Sequence, residues 1–317
     1  MNAVTELTIV EVGPRDGFQV IEPFIPTEAK IDLCRGLIRA GVKRLEIGAF
    51  VSPVVLPQMQ DVRQIVDALR SEPHPELSVL VPNRRGAEDA LKAGIDALVY
   101  VVSASESHNR NNVHRSVRQS MDEMIRCLDE LRPSGRFRFN LATAFHCPFE
   151  GPTQHDCVIA MIDRVLAARP EAEIGLCDTT GYASPADIAR LVGAVRTAFG
   201  DAVALAYHAH DTYGFGIAGV LAARQAGVSV MDAAIAGLGG CPFAPGAMGN
   251  VATEDIVYAF ERLGVATGID LGHLLKVAGR AAALDGAPIG GHLRGVAESK
   301  HRRSIARSLW FDPVLGI

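Results

Sequence analysis

Apolar and polar positions along this chain keep two alternating rhythms. Short apolar runs at residues 7–12, 42–47, 77–81, 97–102, 136–144, 173–177, 203–208 and 230–236 have the length and polar borders of strands. Each is followed by a stretch whose apolar residues recur at helical spacing: 27–40, 59–70, 86–93, 117–131, 155–168, 185–199, 216–225 and 252–263. Thr27 opens the first of these with Glu28 in its first turn, and Ser184 stands as the N-cap of the sixth. The unit recurs about every 35 to 40 residues. Many of the strands are apolar nearly throughout, as strands buried on both faces should be. Eight such pairs predict an α/β fold closed as a TIM (β/α)8 barrel. A doubly wound open sheet is the alternative, but no GxGxxG follows the first strand to support it. The barrel is expected over about residues 5–264, with an extra C-terminal helical segment at 271–284 inside an extension over about 265–317. With no linker evident, residues 1–317 read as a single catalytic domain.

Composition narrows the class. A chain of 317 residues has room for a barrel of roughly 250. Its 48% hydrophobic and 21% charged residues are ordinary for a globular protein and argue against disorder. A formal net charge of -5 gives no reason to expect a nucleic-acid partner, and the basic cluster at 301–307 reads as a solvated tail. No apolar run approaches the roughly 18 residues of a membrane span, and the first residues show no secretory signal. The six cysteines are scattered without a CxxC, so they read as reduced thiols. The expectation is a soluble, cytoplasmic protein.

The candidate chemistry collects where the strands end. His208 and His210 stand two apart at the end of the seventh strand, so their side chains share a face and can hold a divalent metal. The plain alternative is a pair of hydrogen-bonded core histidines. The first strand ends in EVGPRDGFQ at 11–19, the second at Glu46 and the sixth at Asp178. The eighth runs into a glycine-rich loop over 237–250 that holds Cys241 and ends at Asn250. In a TIM barrel this end carries the active site. Asp16, His208 and His210, with Asn250 as a further candidate, would supply oxygen and nitrogen ligands without a thiolate, a set suited to Mg²⁺ or Mn²⁺, with Zn²⁺ as an alternative. Arg15 beside them is a candidate to neutralise an enolate or carboxylate oxygen, its plain alternative being an ion pair in a turn. A thiol at Cys241 in a mobile loop would donate or accept a proton on closure. Cys34, Cys127 and Cys157 read as packing, Cys177 as barrel wall, and Cys147 stays undecided.

With these residues assembled, the chain resembles the 3-hydroxy-3-methylglutaryl-CoA lyases, within the wider metal-dependent TIM-barrel family of lyases and Claisen-condensing enzymes. The motifs that carry the resemblance are EVGPRDGFQ at 11–19, Phe50-Val51-Ser52-Pro53, Cys147-Pro148-Phe149-Glu150-Gly151, HAHDTYG at 208–214, and the loop 237–250 followed by Ala252-Thr253-Glu254-Asp255. The resemblance implies a metal on Asp16, His208, His210 and Asn250, and Arg15 on the thioester carbonyl that becomes an enolate. It implies Glu46 as a partner near Arg15 and the metal, Asp178 and Cys241 in proton transfer, and Glu254 supporting the site. Gln19, Ser52, Ala49 and Phe145 are expected to bind substrate. The implied partner is an acyl-CoA substrate, and the implied reaction is retro-Claisen cleavage to acetyl-CoA and acetoacetate.

The chain departs from the family pattern in three places. Ala49 replaces a small hydroxyl residue, Phe145-His146 replaces an aliphatic residue and glycine, and Met248 stands where a small polar residue is common. These changes are either drift around an unchanged pocket or a pocket remade for another 3-hydroxyacyl-CoA. No cysteine follows Cys241, so the regulatory thiol of some relatives has no counterpart. A condensing relative would share the Arg-Asp and HxH elements but usually carries an added C-terminal domain. A silent acyl-CoA- or partner-binding barrel would not need a proton donor. A homo-oligomer is expected from the apolar content outside the barrel pattern.

Overall fold

The computed structural model describes residues 7–73, 75–240 and 248–296. Five strands come first: β1 (Thr8–Glu11), β2 (Arg44–Ala49), β3 (Glu76–Leu80), β4 (Ala97–Ser103) and β5 (Phe137–Ala142). A short antiparallel hairpin follows, β6 (His146–Cys147) with β7 (Gly151–Pro152), and then β8 (Glu173–Asp178), β9 (Leu205–Ala209) and β10 (Val230–Ala233). All but the hairpin are parallel neighbours in chain order, and β1 pairs with β10 from Thr8–Val230 to Glu11–Ala233, so the sheet closes. The fold is the expected TIM barrel.

Ten helices accompany the strands among the described residues: α1 (Thr27–Arg39), α2 (Val62–Leu69), α3 (Arg84–Lys92), α4 (Glu106–Val113), α5 (Val117–Leu131), α6 (His155–Ala168), α7 (Pro185–Phe199), α8 (Gly216–Gln225), α9 (Thr253–Arg262) and α10 (Leu271–Ala282). Their buried stripes, such as Ile188, Leu191, Val192 and Val195 on α7, belong to the same core as the outward faces of the strands. Ser184 caps α7 as expected, in a capping box: its hydroxyl accepts from Asp187 N while Asp187 accepts from Ser184 N at 2.9 Å. Ser116 and Gln119 repeat the device at α5. Helix α4 and the hairpin were not anticipated, because both are polar or too short to show a period. Two expected strands end early: Thr143 takes a positive φ (54) directly after β5, and after β10 the chain turns into a short 3-10 helix, Ile235–Gly237, in which Ala236 has φ 57.

The barrel interior differs from the apolar packing the strand sequences suggest. Arg44, Glu46, Arg138, Asn140, Glu173, His208 and Asp232 point inward and are paired there with one another or with loop residues at the mouth. A bulge in β2 between Glu46 and Ala49 re-aims the strand. A Cβ on Gly48 would meet Val62 of α2, so Ala49 turns to the interior. Beyond α10 the chain folds back over β10: Gly290 N donates to Ala236 O at 2.9 Å, and His292 N and Leu293 N both donate to Asp255. The described part of the C-terminal extension is thus helix α10 plus this strap, while residues 301–307 lie outside the described residues.

Candidate active site

Arg15, Asp16, Glu46, His208, His210 and Asn250 meet at the C-terminal ends of the strands. After β1 the chain makes one π-helical turn, Gly13–Gly17, in which Arg15 and Asp16 point across the barrel mouth. Arg15 Nε donates to Glu46 of β2 and Nη1 donates to Asp16. The Asp16 carboxylate also accepts from Gln19 Nε2 at 3.1 Å and from Asn250 Nδ2 at 2.7 Å. His208 and His210 reach it from β9, with His208 Nε2 4.0 Å from Asp16 Oδ2. Asn250 is brought in by an isolated antiparallel bridge to His210, fastened by Asp211 N donating to Gly249 O at 2.7 Å. Gly249 allows that approach, because a Cβ there would overlap the backbone of Gly239 and Gly240.

One donor atom each from Asp16, His208 and His210 lies within 4.8 Å of the others, as a single ion requires. Around them His210 Nδ1, Asn250 Oδ1 and Glu46 Oε2 are buried without a hydrogen-bond partner among the described residues. Buried polar atoms left unpaired are costly, and a cation would satisfy them. Electrostatics favour the ligating protonation states. Burial works against the charge of Asp16, yet the Arg15 guanidinium with both imidazoles holds its carboxyl well below the ordinary range. Burial, helped by His208, pushes His210 down to about 4, so at neutral pH it is an uncharged base. The residues therefore fit a divalent metal, with carboxylate, imidazole and amide donors suited to Mg²⁺ or Mn²⁺.

Asp178 ends β8 near His208. Its oxygens accept from Tyr182 N and Ala183 N at 3.1 Å each, and burial still pushes its carboxyl up to about 6. Cys177 faces the interior beside His208 in the strand register, and burial with the nearby Asp232 pushes its thiol up, so it is a neutral spacer. Glu254 stands one layer back, accepting from Ala236 N at 3.1 Å, with its carboxyl pushed up to about 7 by burial.

Three expected substrate contacts are placed differently from one another. Ala49 faces the interior. Ser52 is exposed in the loop after β2. Phe145 is turned away from the cluster: its ring meets Tyr207 edge-on at 6.0 Å, on the helix-facing side of β9. Its neighbour His146 stacks on Tyr182 at 4.2 Å. Cys241 lies outside the described residues.

Some contributors were missed from sequence. Glu11 ties together the loops that carry the site, accepting from Gly13 N at 2.8 Å, Ile235 N at 2.9 Å and Thr253 Oγ1 at 2.6 Å. It sits in the EVGPRDGFQ motif, but on the helix-facing side of β1. Arg138, Asn140 and Asp232 lie beneath the cluster in strands that look apolar. For Arg138 and Asn140 the signal was the alternation of polar and aromatic residues in Phe137-Arg138-Phe139-Asn140.

Residues 6–280 match the HMGL-like family. The hydroxymethylglutaryl-CoA lyase YngG of Bacillus subtilis is 38% identical over 277 residues, covering 86% of this chain and 91% of that protein. The (R)-citramalyl-CoA lyase of Chloroflexus aurantiacus is 38% identical over 294 residues, covering 89% and 92%. Among solved structures, an HMG-CoA lyase of Acinetobacter baumannii in complex with coenzyme A and 3-methylmalate superposes with a TM-score of 0.87 at 37% identity, covering 93% of this chain and 96% of that one. A match over most of the chain, with relatives aligned over nearly their full length, establishes that the chain belongs to the HMGL-like family.

Proposed function

We propose that the chain is a metal-dependent carbon–carbon lyase that cleaves 3-hydroxy-3-methylglutaryl-CoA into acetyl-CoA and acetoacetate. The observation that carries this reading is Arg15, held between Glu46 and Asp16 at the edge of a three-donor metal cluster. With Nε and Nη1 engaged, its Nη2 is the nitrogen that the described residues leave to meet a substrate oxygen. A divalent ion on Asp16, His208, His210 and Asn250 would polarise substrate oxygens as a Lewis acid.

The remaining chemistry belongs to side chains. Asp178 takes the proton of the tertiary hydroxyl, for which a carboxylate pushed up to about 6 is suited near neutral pH. As that oxygen becomes the ketone of acetoacetate, the adjacent carbon–carbon bond breaks and its electron pair moves into the thioester enolate. Arg15 stabilises the enolate oxygen, and protonation at carbon, assigned by resemblance to Cys241, gives acetyl-CoA.

The citramalyl-CoA relative supports a second reading, the same cleavage on a 3-hydroxyacyl-CoA whose carboxylate sits one carbon closer. The inward Ala49 bears on this choice, since it offers no hydroxyl to a substrate carboxylate. Both thioesters should be assayed for acetyl-CoA release with Mg²⁺, with Mn²⁺ and with chelator. The first reading predicts chelator-sensitive turnover of 3-hydroxy-3-methylglutaryl-CoA at about 1–1,000 s⁻¹. Preference for citramalyl-CoA would select the second, and release from neither by metal-loaded protein would defeat both.

A further inference from the structure

Strand register places Asp232 of β10 beside His208 on β9 and beside Val10 on β1, all facing the barrel interior. Asp232 Oδ2 lies 3.1 Å from His208 Nδ1 and accepts from Arg138 Nη2 at 2.8 Å, while Arg138 Nη1 stands 2.8 Å from Oδ1. Arg138 is itself fixed, donating from Nε to Asn140 Oδ1 at 2.8 Å, with Glu173 Oε1 at 3.7 Å. All of these side chains are buried. A carboxylate held by a guanidinium has no proton to give, so Nδ1 of His208 must carry a hydrogen, which leaves Nε2 as the ring atom able to offer a lone pair to an ion. Nε2 is the atom that faces Asp16.

We propose that Asp232 and Arg138 are positioning residues for the metal: Asp232 fixes the tautomer and ring orientation of His208, and Arg138 fixes Asp232. This rests on the reading of Asp16, His208 and His210 as metal ligands. A neutral imidazole left to itself divides between two tautomers, and only one presents Nε2 to the cluster. Partners of this kind on metal-bound histidines are worth 10–100-fold in metal affinity. Gly175 belongs to the same device, since a Cβ there would overlap Asn140 Oδ1 and lie 3.2 Å from Arg138 Nε.

The test is titration of MnCl₂ into metal-stripped full-length wild type, Asp232→Asn, Arg138→Met and Asp16→Ala, with thermal unfolding of each. Long-range ¹H–¹⁵N imidazole spectra of the metal-free protein report the tautomer. Wild type should show His208 protonated at Nδ1. Asp232→Asn and Arg138→Met should bind Mn²⁺ about 10–100-fold more weakly while folded, with the His208 tautomer mixed or reversed in Asp232→Asn. Wild-type affinity in folded Asp232→Asn would overturn the proposal, as would a wild-type His208 with no hydrogen on Nδ1, a readout that needs no variant to fold. Wild-type affinity in Asp16→Ala would instead overturn the ligand set on which the proposal rests.

Discussion

At the base of the barrel Arg44 contacts Glu173 through both terminal nitrogens at 2.9 Å and Glu76 through Nε at 2.9 Å, and Arg136 reaches Glu76 at 3.0 Å. At the mouth, His210 Nδ1, Asn250 Oδ1 and Glu46 Oε2 are buried and have no hydrogen-bond partner among the described residues. Both ends carry charge into the interior, but at the base each of these charges faces an opposite one. Such a lattice holds the strands together and has nothing left to offer a ligand. The mouth has donors and acceptors in excess of what the described residues pair, which is how a site able to take an ion and a substrate differs from a structural ion cluster.

The contrast can be broken most forcefully at the base. Arg44→Met leaves Glu173 with weaker partners in a buried setting and should cost about 3–5 kcal/mol in denaturant unfolding, while Mn²⁺ affinity of the folded protein stays as in wild type. Arg15→Met should differ in its readout. Removing a cation aimed at the developing enolate should lower kcat of the folded protein by about 10²–10³ in the acetyl-CoA assay, on top of the stability lost by stranding the buried Glu46 carboxylate. A smaller effect is expected of pH. Asp178 works as a base in its ionised form and its pKa is about 6. The value of kcat/KM should therefore be flat above that pH and fall about tenfold per unit below it, a limb that Asp178→Asn should abolish. Smallest is Gly175→Ala, which touches neither metal nor substrate. Displacing Asn140 and Arg138 should weaken Mn²⁺ binding by up to about tenfold, sharpening the link between the interior charges and the mouth.

Much of this was legible in the sequence. The eight strand–helix units are written in apolar spacing, and Ser184 announced the start of α7. The HxH pair and the Arg15–Asp16 turn could be assigned to one end of the barrel because strand ends fix that end. What escaped depends on register. Whether Asp232 touches His208 is decided by pairing between β9 and β10, which no local pattern records. The inward turn of Ala49 depends on a bulge in β2, and the outward turn of Phe145 on the positive φ of Thr143 and the hairpin that follows. Side-chain direction at a strand end is set by such irregularities, so Phe145 reads in sequence as a pocket residue and in space as packing against Tyr207.

The claim that the mouth is a metal centre is tested most directly by titrating Mn²⁺ into metal-stripped wild type and Asp16→Ala, following the free ion by electron paramagnetic resonance. One tight equivalent in wild type and none in the variant is the predicted result. Equal binding by both, or no tight binding by wild type, would contradict the account.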